Sequence, residues 1–424
     1  MPSPSAEHSV WSHVGRTLRL STQLALLLLV GGAERLNAQP VPPSPGDTVS
    51  TTPGSVPLRD VMDVAKSLIG RRVESQPQIK PLPGLSVALL PSVGYNPSYG
   101  SYVGISATIG GWLGDPANTS VTSGSAGASY SSTGQLSVQV KTDMFTAGNG
   151  MNFKGDWRYL DTSQSTYGLG PVAPGQSGYP MEFKLLRFYE TAYRRLPSSS
   201  LYVGIGYHYN HYLDIRDERA DAGEPTPFLA YSLGYPVRTT SAGISGNVLF
   251  DSRDNGINAR SGAYWNASFR FFGPAFGGDA SWQMLWSDLR AYPRQGRNTI
   301  GLWNYCWFTF GRAPYLDLSS IGWDTYGRSG RGYLQGRIRS ADQIYNEVEY
   351  RRSLREDDLL GAVAFVNLTV SAIPESGAFG IPDVGGGVGI RAKFNKRTAT
   401  NLTMDVAWGE GQGANVFFGM QEVF

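Results

Sequence analysis

The run Gln135-Leu136-Ser137-Val138-Gln139-Val140-Lys141-Thr142-Asp143-Met144 decides how this chain of 424 residues is read. Successive side chains of a strand point to opposite sides, so Leu136, Val138, Val140 and Met144 share one face and Ser137, Gln139, Lys141 and Asp143 the other. The split recurs. Val103, Ile105, Ala107 and Ile109 oppose Gly104, Ser106, Thr108 and Gly110; Leu402, Met404, Val406 and Trp408 oppose Asn401, Thr403, Asp405 and Ala407. Alternation alone also suits a soluble sandwich. Here, however, the second face carries charges and glycines strand after strand, which leaves no apolar surplus to fill a core between two sheets. In a transmembrane β-barrel the apolar face meets lipid, the polar face lines the lumen, and closure leaves no backbone group unpaired in hydrocarbon. Alternation and turn residues predict an all-β, antiparallel transmembrane barrel over residues 84–424. It has about sixteen strands, starting near residues 85, 101, 119, 134, 150, 181, 201, 239, 261, 280, 298, 341, 360, 385, 399 and 414, an even number as such barrels require. Aromatics bunched near strand ends (Trp303, Tyr305, Trp307 and Phe310; Tyr207, Tyr209 and Tyr212) are expected to form interfacial girdles.

Working outward to the N-terminus, Arg16 and Arg19 precede the apolar run Leu24-Ala25-Leu26-Leu27-Leu28-Leu29-Val30, and Ala38 precedes Gln39. This pattern predicts a secretory signal peptide over residues 1–38, since the run falls short of the roughly 20 apolar residues that a spanning helix needs. Residues 39–83 read as a periplasmic linker rich in proline, carrying one short amphipathic helix at about 57–70. In that helix Leu58, Val61, Met62, Ala65, Leu68 and Ile69 fall at helical spacing, and it is expected either on the periplasmic side or as a plug.

Composition excludes several classes. A net charge of +2 argues against a nucleic-acid partner, which needs a concentrated basic face. The lone cysteine, Cys306, has no intramolecular disulfide partner. Outside the leader only two histidines occur, His208 and His211; three apart on a strand, they point to opposite faces and make no shared metal or nucleophile site. No catalytic residue, metal ligand or cofactor is expected. The luminal carboxylates Asp143, Asp288, Glu347, Glu349 and Asp405 are read as partners of luminal arginines.

One long connection departs from the pattern. Between Arg312 and Arg339 five arginines face only Asp317 and Asp324, and Gly330 and Gly332 bracket Arg331 before Tyr333, with Gly336-Arg337 following. Glycines permit a tight turn and close approach to another surface, so the segment is read as folding inward with Arg331 at its tip. Such a tip calls for an acidic socket. Alternation turns Glu347, Glu349 and Asp405 into the lumen, and Asp405, near the closing strand, is the expected bidentate partner.

The barrel resembles the bacterial surface antigen family, the BamA/TamA-type assembly and translocation barrels of the outer membrane. The resemblance rests on Asp251-Ser252-Arg253-Asp254-Asn255 with Gly262-Ala263-Tyr264, and on Asp288-Leu289-Arg290-Ala291-Tyr292. It rests equally on Arg331-Gly332-Tyr333 with Gly336-Arg337, on Glu347-Val348-Glu349-Tyr350-Arg351, and on the ending Phe418-Gly419-Met420-Gln421-Glu422-Val423-Phe424. It implies a location in the outer membrane of a Gram-negative-type bacterium, lipid and polypeptide clients as partners, and Phe418, Gly419 and Phe424 as an assembly signal. Two departures stand out. The 45 residues between the predicted cleavage site and the first strand leave no room for the family's repeated periplasmic POTRA domains, and Asn367 stands where the family pattern leads one to expect Asp; Asn367 would offer the loop a neutral acceptor. The implied function is non-enzymatic insertion or translocation of polypeptides through a lateral seam. The alternative is a passive channel or structural barrel.

Overall fold

A computed structural model describes residues 57–70, 84–96, 98–173, 175–231, 237–374, 376–396, 399–420 and 422–424. The expected signal peptide and most of the linker lie outside them. Sixteen long strands follow one another: β1 (Gly84–Asn96), β2 (Gly100–Trp112), β3 (Thr122–Ser131), β4 (Leu136–Phe145), β5 (Met151–Thr166), β6 (Tyr179–Arg195), β7 (Leu201–Asp217) and β8 (Thr239–Asp251). After them come β9 (Gly262–Phe272), β10 (Trp282–Tyr292), β11 (Asn298–Gly311), β12 (Asp342–Ser353), β13 (Leu360–Ser371), β14 (Asp383–Asn395), β15 (Thr400–Gly409) and β16 (Asn415–Met420). Every strand pairs antiparallel with the next. Each expected strand start falls within three residues of the observed one. Two-residue pieces at Arg294–Gln295 and in the β11–β12 connection add to this frame.

The faces sort as the alternation requires. Val87, Leu89, Val93, Val103, Ile105, Val138, Val388, Ile390 and Trp408 are exposed on the outside, whereas Asp288, Arg290, Glu347, Glu349, Arg391 and Asp405 are buried inside. Among the described residues no helix is long and apolar enough to cross a membrane; crossing falls to the strands, several of which exceed the roughly 9–11 residues that a tilted strand needs.

The expected girdle is corrected by register. Trp303 pairs directly with Glu347, so the two share a face, and Trp303, Tyr305 and Trp307 are buried in the lumen. There Trp303 Nε1 donates to Asp288 Oδ1 at 2.9 Å and Trp286 Nε1 donates to the Tyr305 hydroxyl at 2.9 Å. Tyr212 is also inward, while Tyr207 is exposed outside. The histidines do part company: His208 lies on the buried face of β7 and His211 on the other.

Helix α1 (Val61–Leu68) starts in a capping box, with Asp60 Oδ1 accepting from Asp63 N at 2.9 Å and Asp63 Oδ2 accepting from Asp60 N at 3.2 Å. A helix of eight residues is marginal alone and needs docking. Lys396 Nζ reaches Asp63 at 2.7 Å and Arg59 N donates to Asp357 O at 2.9 Å, which seats α1 on the β14–β15 and β12–β13 turns. These turns belong to the barrel end with the shorter connections, the periplasmic end by the general rule for such barrels.

Candidate functional site: the inward loop and the strand seam

The connection from β11 to β12 runs through the lumen. Its first part packs Tyr315, Leu316 and Trp323 against Met181, Phe183, Leu185, Tyr212 and Ile215 on the inner faces of β6 and β7. Asp317 accepts from Asn210 Nδ2 and Ser241 Oγ, each at 2.6 Å, and Tyr212 donates to Leu316 O at 3.0 Å. Burial pushes the Asp317 carboxyl up, against these two hydrogen bonds. The Ser319–Ser320 and Arg339–Ser340 pieces pair with each other and close the base of the loop.

The second part carries the tip. Gly330 and Gly332 have φ of 76° and 105°, left-handed values that a side chain rarely adopts. A Cβ on Gly332 would also sit 2.5 Å from Trp408 O, so the tip lies flush on β15. Arg331 is buried, and Nη2 meets Glu349 Oε2 at 2.5 Å and Glu347 Oε1, with Nε at 3.5 Å from Glu347 Oε2. Nη1 meets Asp405 Oδ2 at 3.1 Å, and the guanidinium lies 3.4 Å from the Phe365 ring centroid. Burial opposes the charge, but the three carboxylates more than offset it and hold the group above its ordinary range.

The expected partner is thereby corrected. The fork of Arg331 engages Glu347, while Asp405 gives it one oxygen and the other to Arg391 Nη1 at 2.6 Å. Asn367 reverses the role expected of it: Nδ2 donates to Arg331 O at 2.9 Å, which a carboxylate could not do. Tyr333 donates to Val384 O at 2.6 Å and accepts from Glu410 N at 3.0 Å. Arg337 leaves the socket altogether and lies 4.7 Å over the Tyr167 ring, and Gly336 abuts the Gln164 side chain.

Sequence reasoning missed three contributors: Phe365, Arg391 and Glu422. Arg391 Nε reaches Glu422 at 2.8 Å, and Glu422 accepts from Asn401 Nδ2 at 2.5 Å. The inward glycines of β14 were a readable signal, because a Cβ on Gly385 would meet Arg331 O at 2.9 Å and one on Gly387 the Phe365 ring at 2.6 Å. Beyond Met420 the chain turns inward. Phe424 is buried, 5.2 Å from the Trp303 ring, and its carbonyl accepts from Arg351 Nη2 at 2.7 Å. Phe424 therefore stands off the last strand, on which Phe418 and Gly419 do lie.

The seam completes the site. β1 pairs with β2 over its full length and β16 with β15 over six residues. β1 and β16 run near each other, yet among the described residues no ladder joins them. The loop touches β16 and the β1–β2 turn: Arg328 Nη2 donates to Met420 O at 2.7 Å, Asn415 Nδ2 to Gly332 O at 3.2 Å, and Gln335 N to Ser98 Oγ at 2.9 Å. Among the described residues no cluster of histidine, cysteine or carboxylate side chains is placed to hold a metal ion.

Residues 99–302 match the Omp85 superfamily domain. Just under half of the chain thus resembles an Omp85 barrel. With the apolar outer face, this places it in the outer membrane of a Gram-negative-type bacterium, in agreement with the BamA/TamA-type resemblance. The barrel is similar in fold to BamA from Haemophilus ducreyi lacking POTRA domains 1-3, with a TM-score of 0.50 and 14% identity over 81% of this chain and 71% of that one. It is similar also to CdiB from Escherichia coli (TM-score 0.52, 10% identity, 81% and 64% covered) and to CdiB from Acinetobacter baumannii (0.50, 11%, 80% and 59%). The chain thus spans about three fifths of the length of the two CdiB proteins. No curated protein matches it in sequence.

Proposed function

We propose that this Omp85 barrel assists insertion or translocation of polypeptides at the outer membrane, with the β1–β16 seam as its gate and the Arg331 loop as the brace that sets the gate's resting state. The observation that carries this reading is the seam. A strand edge without a ladder leaves N–H and C=O groups that an incoming strand can pair with. Pro91 in β1 withholds one donor from that strand, and Arg328 occupies the Met420 carbonyl from the luminal side. A passive pore gains nothing from a loop laid across its lumen and pinned to β16 and the β1–β2 turn beside a weak closure. The work is non-enzymatic: strand exchange replaces covalent chemistry. Depleting the protein and quantifying the other outer-membrane barrels tests the proposal. Broad loss of those barrels is expected. An unchanged barrel set together with lowered uptake of small solutes would establish the passive channel instead.

A further inference from the structure

A second luminal feature stands apart from the Arg331 socket. Strands β4 to β10 and the loop residues Thr325 and Tyr326 enclose a cavity of about 120 Å³. Its wall holds four basic side chains, Lys154, Arg253, Arg270 and Arg290. Three have carboxylates: Lys154 meets Asp143 at 2.5 Å, Arg253 meets Asp251 at 2.7 Å and Arg290 meets Asp288 at 2.6 Å. The remaining carboxylate of the wall, Asp156, is taken by Arg158 at 2.7 Å.

Arg270 is the exception. Although 7% exposed, it has no carboxylate partner among the described residues; its Nε donates to Ser268 Oγ at 3.1 Å. Its guanidinium lies 5.3 Å from the ring centroids of both Tyr189 and Trp286. Ring faces ease the burial of a cation but do not neutralise it, and a buried charge without a counter-ion is costly. His208, beside it on the wall, binds Ser245 Oγ through Nε2 at 2.8 Å and leaves Nδ1 without a partner. Asn247 Nδ2 donates to the same hydroxyl at 2.8 Å; in the tautomer whose Nε2 accepts the Ser245 hydroxyl proton, Nδ1 is a second N–H donor.

We propose that this cavity is a binding site for an oxyanion of phosphate size, with Arg270 as the charge partner, His208 as a supporting donor, and Tyr189 and Trp286 as the walls that fix the guanidinium plane. The chemistry fits either free phosphate or a phosphate carried on a sugar headgroup. A planar guanidinium offers phosphate two parallel hydrogen bonds, and the one excess positive charge of the wall supplies the attraction.

The test is calorimetric titration of the purified full chain in uncharged detergent, at constant ionic strength, with inorganic phosphate and separately with glucosamine 1-phosphate. Saturable binding of phosphate is expected, weakened at least tenfold in Arg270→Gln and less in Arg270→Lys. Tighter binding of the sugar phosphate would assign the site to a headgroup, and equal or weaker binding to the free ion. Absence of saturable heat for both, or equal affinity in a folded Arg270→Gln barrel, overturns the proposal. A second measurement needs no variant. Phosphate should slow phenylglyoxal modification of Arg270 at least fivefold, read by mass spectrometry, without protecting the exposed Arg238; equal rates with and without phosphate overturn it.

Discussion

The two halves of the inward loop are held by opposite means. The Tyr315–Trp323 half lies on β6 to β8 through aromatic packing and hydrogen bonds from uncharged side chains to Leu316 and Asp317. The Ser329–Tyr333 half lies on β12 to β15 through a buried ion cluster in which Arg331 meets three carboxylates, two of them shared with Arg391. The first kind of anchor is additive and insensitive to salt. The second is all-or-none, because removing one member strands the charges of the others in a poorly solvated place. The charged half also adjoins β16, so the part of the loop that can let go as a unit is the part that touches the proposed gate.

Arg331→Ala should therefore produce the largest effect. It leaves Glu347, Glu349 and Asp405 facing one another, at a cost of roughly 3–5 kcal/mol if the cluster stays dry and less if water enters. The barrel should unfold at lower temperature on unheated gels and conduct more in planar bilayers. Next comes a contrast within the socket: Glu347→Gln should cost more than Asp405→Asn, since Glu347 takes the fork of Arg331 and the Tyr345 hydroxyl, whereas Asp405 divides its oxygens. Double-mutant cycles should show larger coupling for Arg331 with Glu347 than with Asp405; the reverse order would restore Asp405 as the principal partner. On the neutral side, Tyr212→Phe removes a single hydrogen bond to Leu316 and should cost about 1 kcal/mol, with conductance unchanged.

The smallest expected effect concerns pH and the neutral half alone. Asp317 holds its proton more tightly folded than unfolded, so the stability it contributes is present in acid and is lost as pH rises through its folded value. Melting of the wild-type barrel should accordingly gain stability towards mild acid, and Asp317→Asn should flatten that component. An identical pH profile in the variant would show that Asp317 plays no part in it.

The fold was legible because strand alternation is a local signal repeated sixteen times, and each expected start lies close to the observed one. Glu347, Glu349 and Asp405 were legible for the same reason, face parity along a strand. What one strand cannot reveal is which residue of its neighbour stands opposite. Trp303 looked like an interfacial aromatic until its pairing with Glu347 turned it inward. Arg391 drew no attention in the sequence, because only the β14–β15 register, which sets Gly389 opposite Asp405, leaves room for Arg391 to reach it. The missing ladder between β1 and β16 among the described residues is likewise a property of two segments more than 300 residues apart, and neither displays it alone.

The central claim is that the β1–β16 seam opens to do its work. Cysteines placed at Val87 or Leu89 in β1 and at Val416 or Phe418 in β16, oxidised in the intact membrane, measure this most directly. The account predicts that the crosslinked barrel folds normally but stops supporting assembly of the other outer-membrane barrels, with recovery when a reductant is added. Crosslinked protein that sustains the full barrel set without reduction would contradict it.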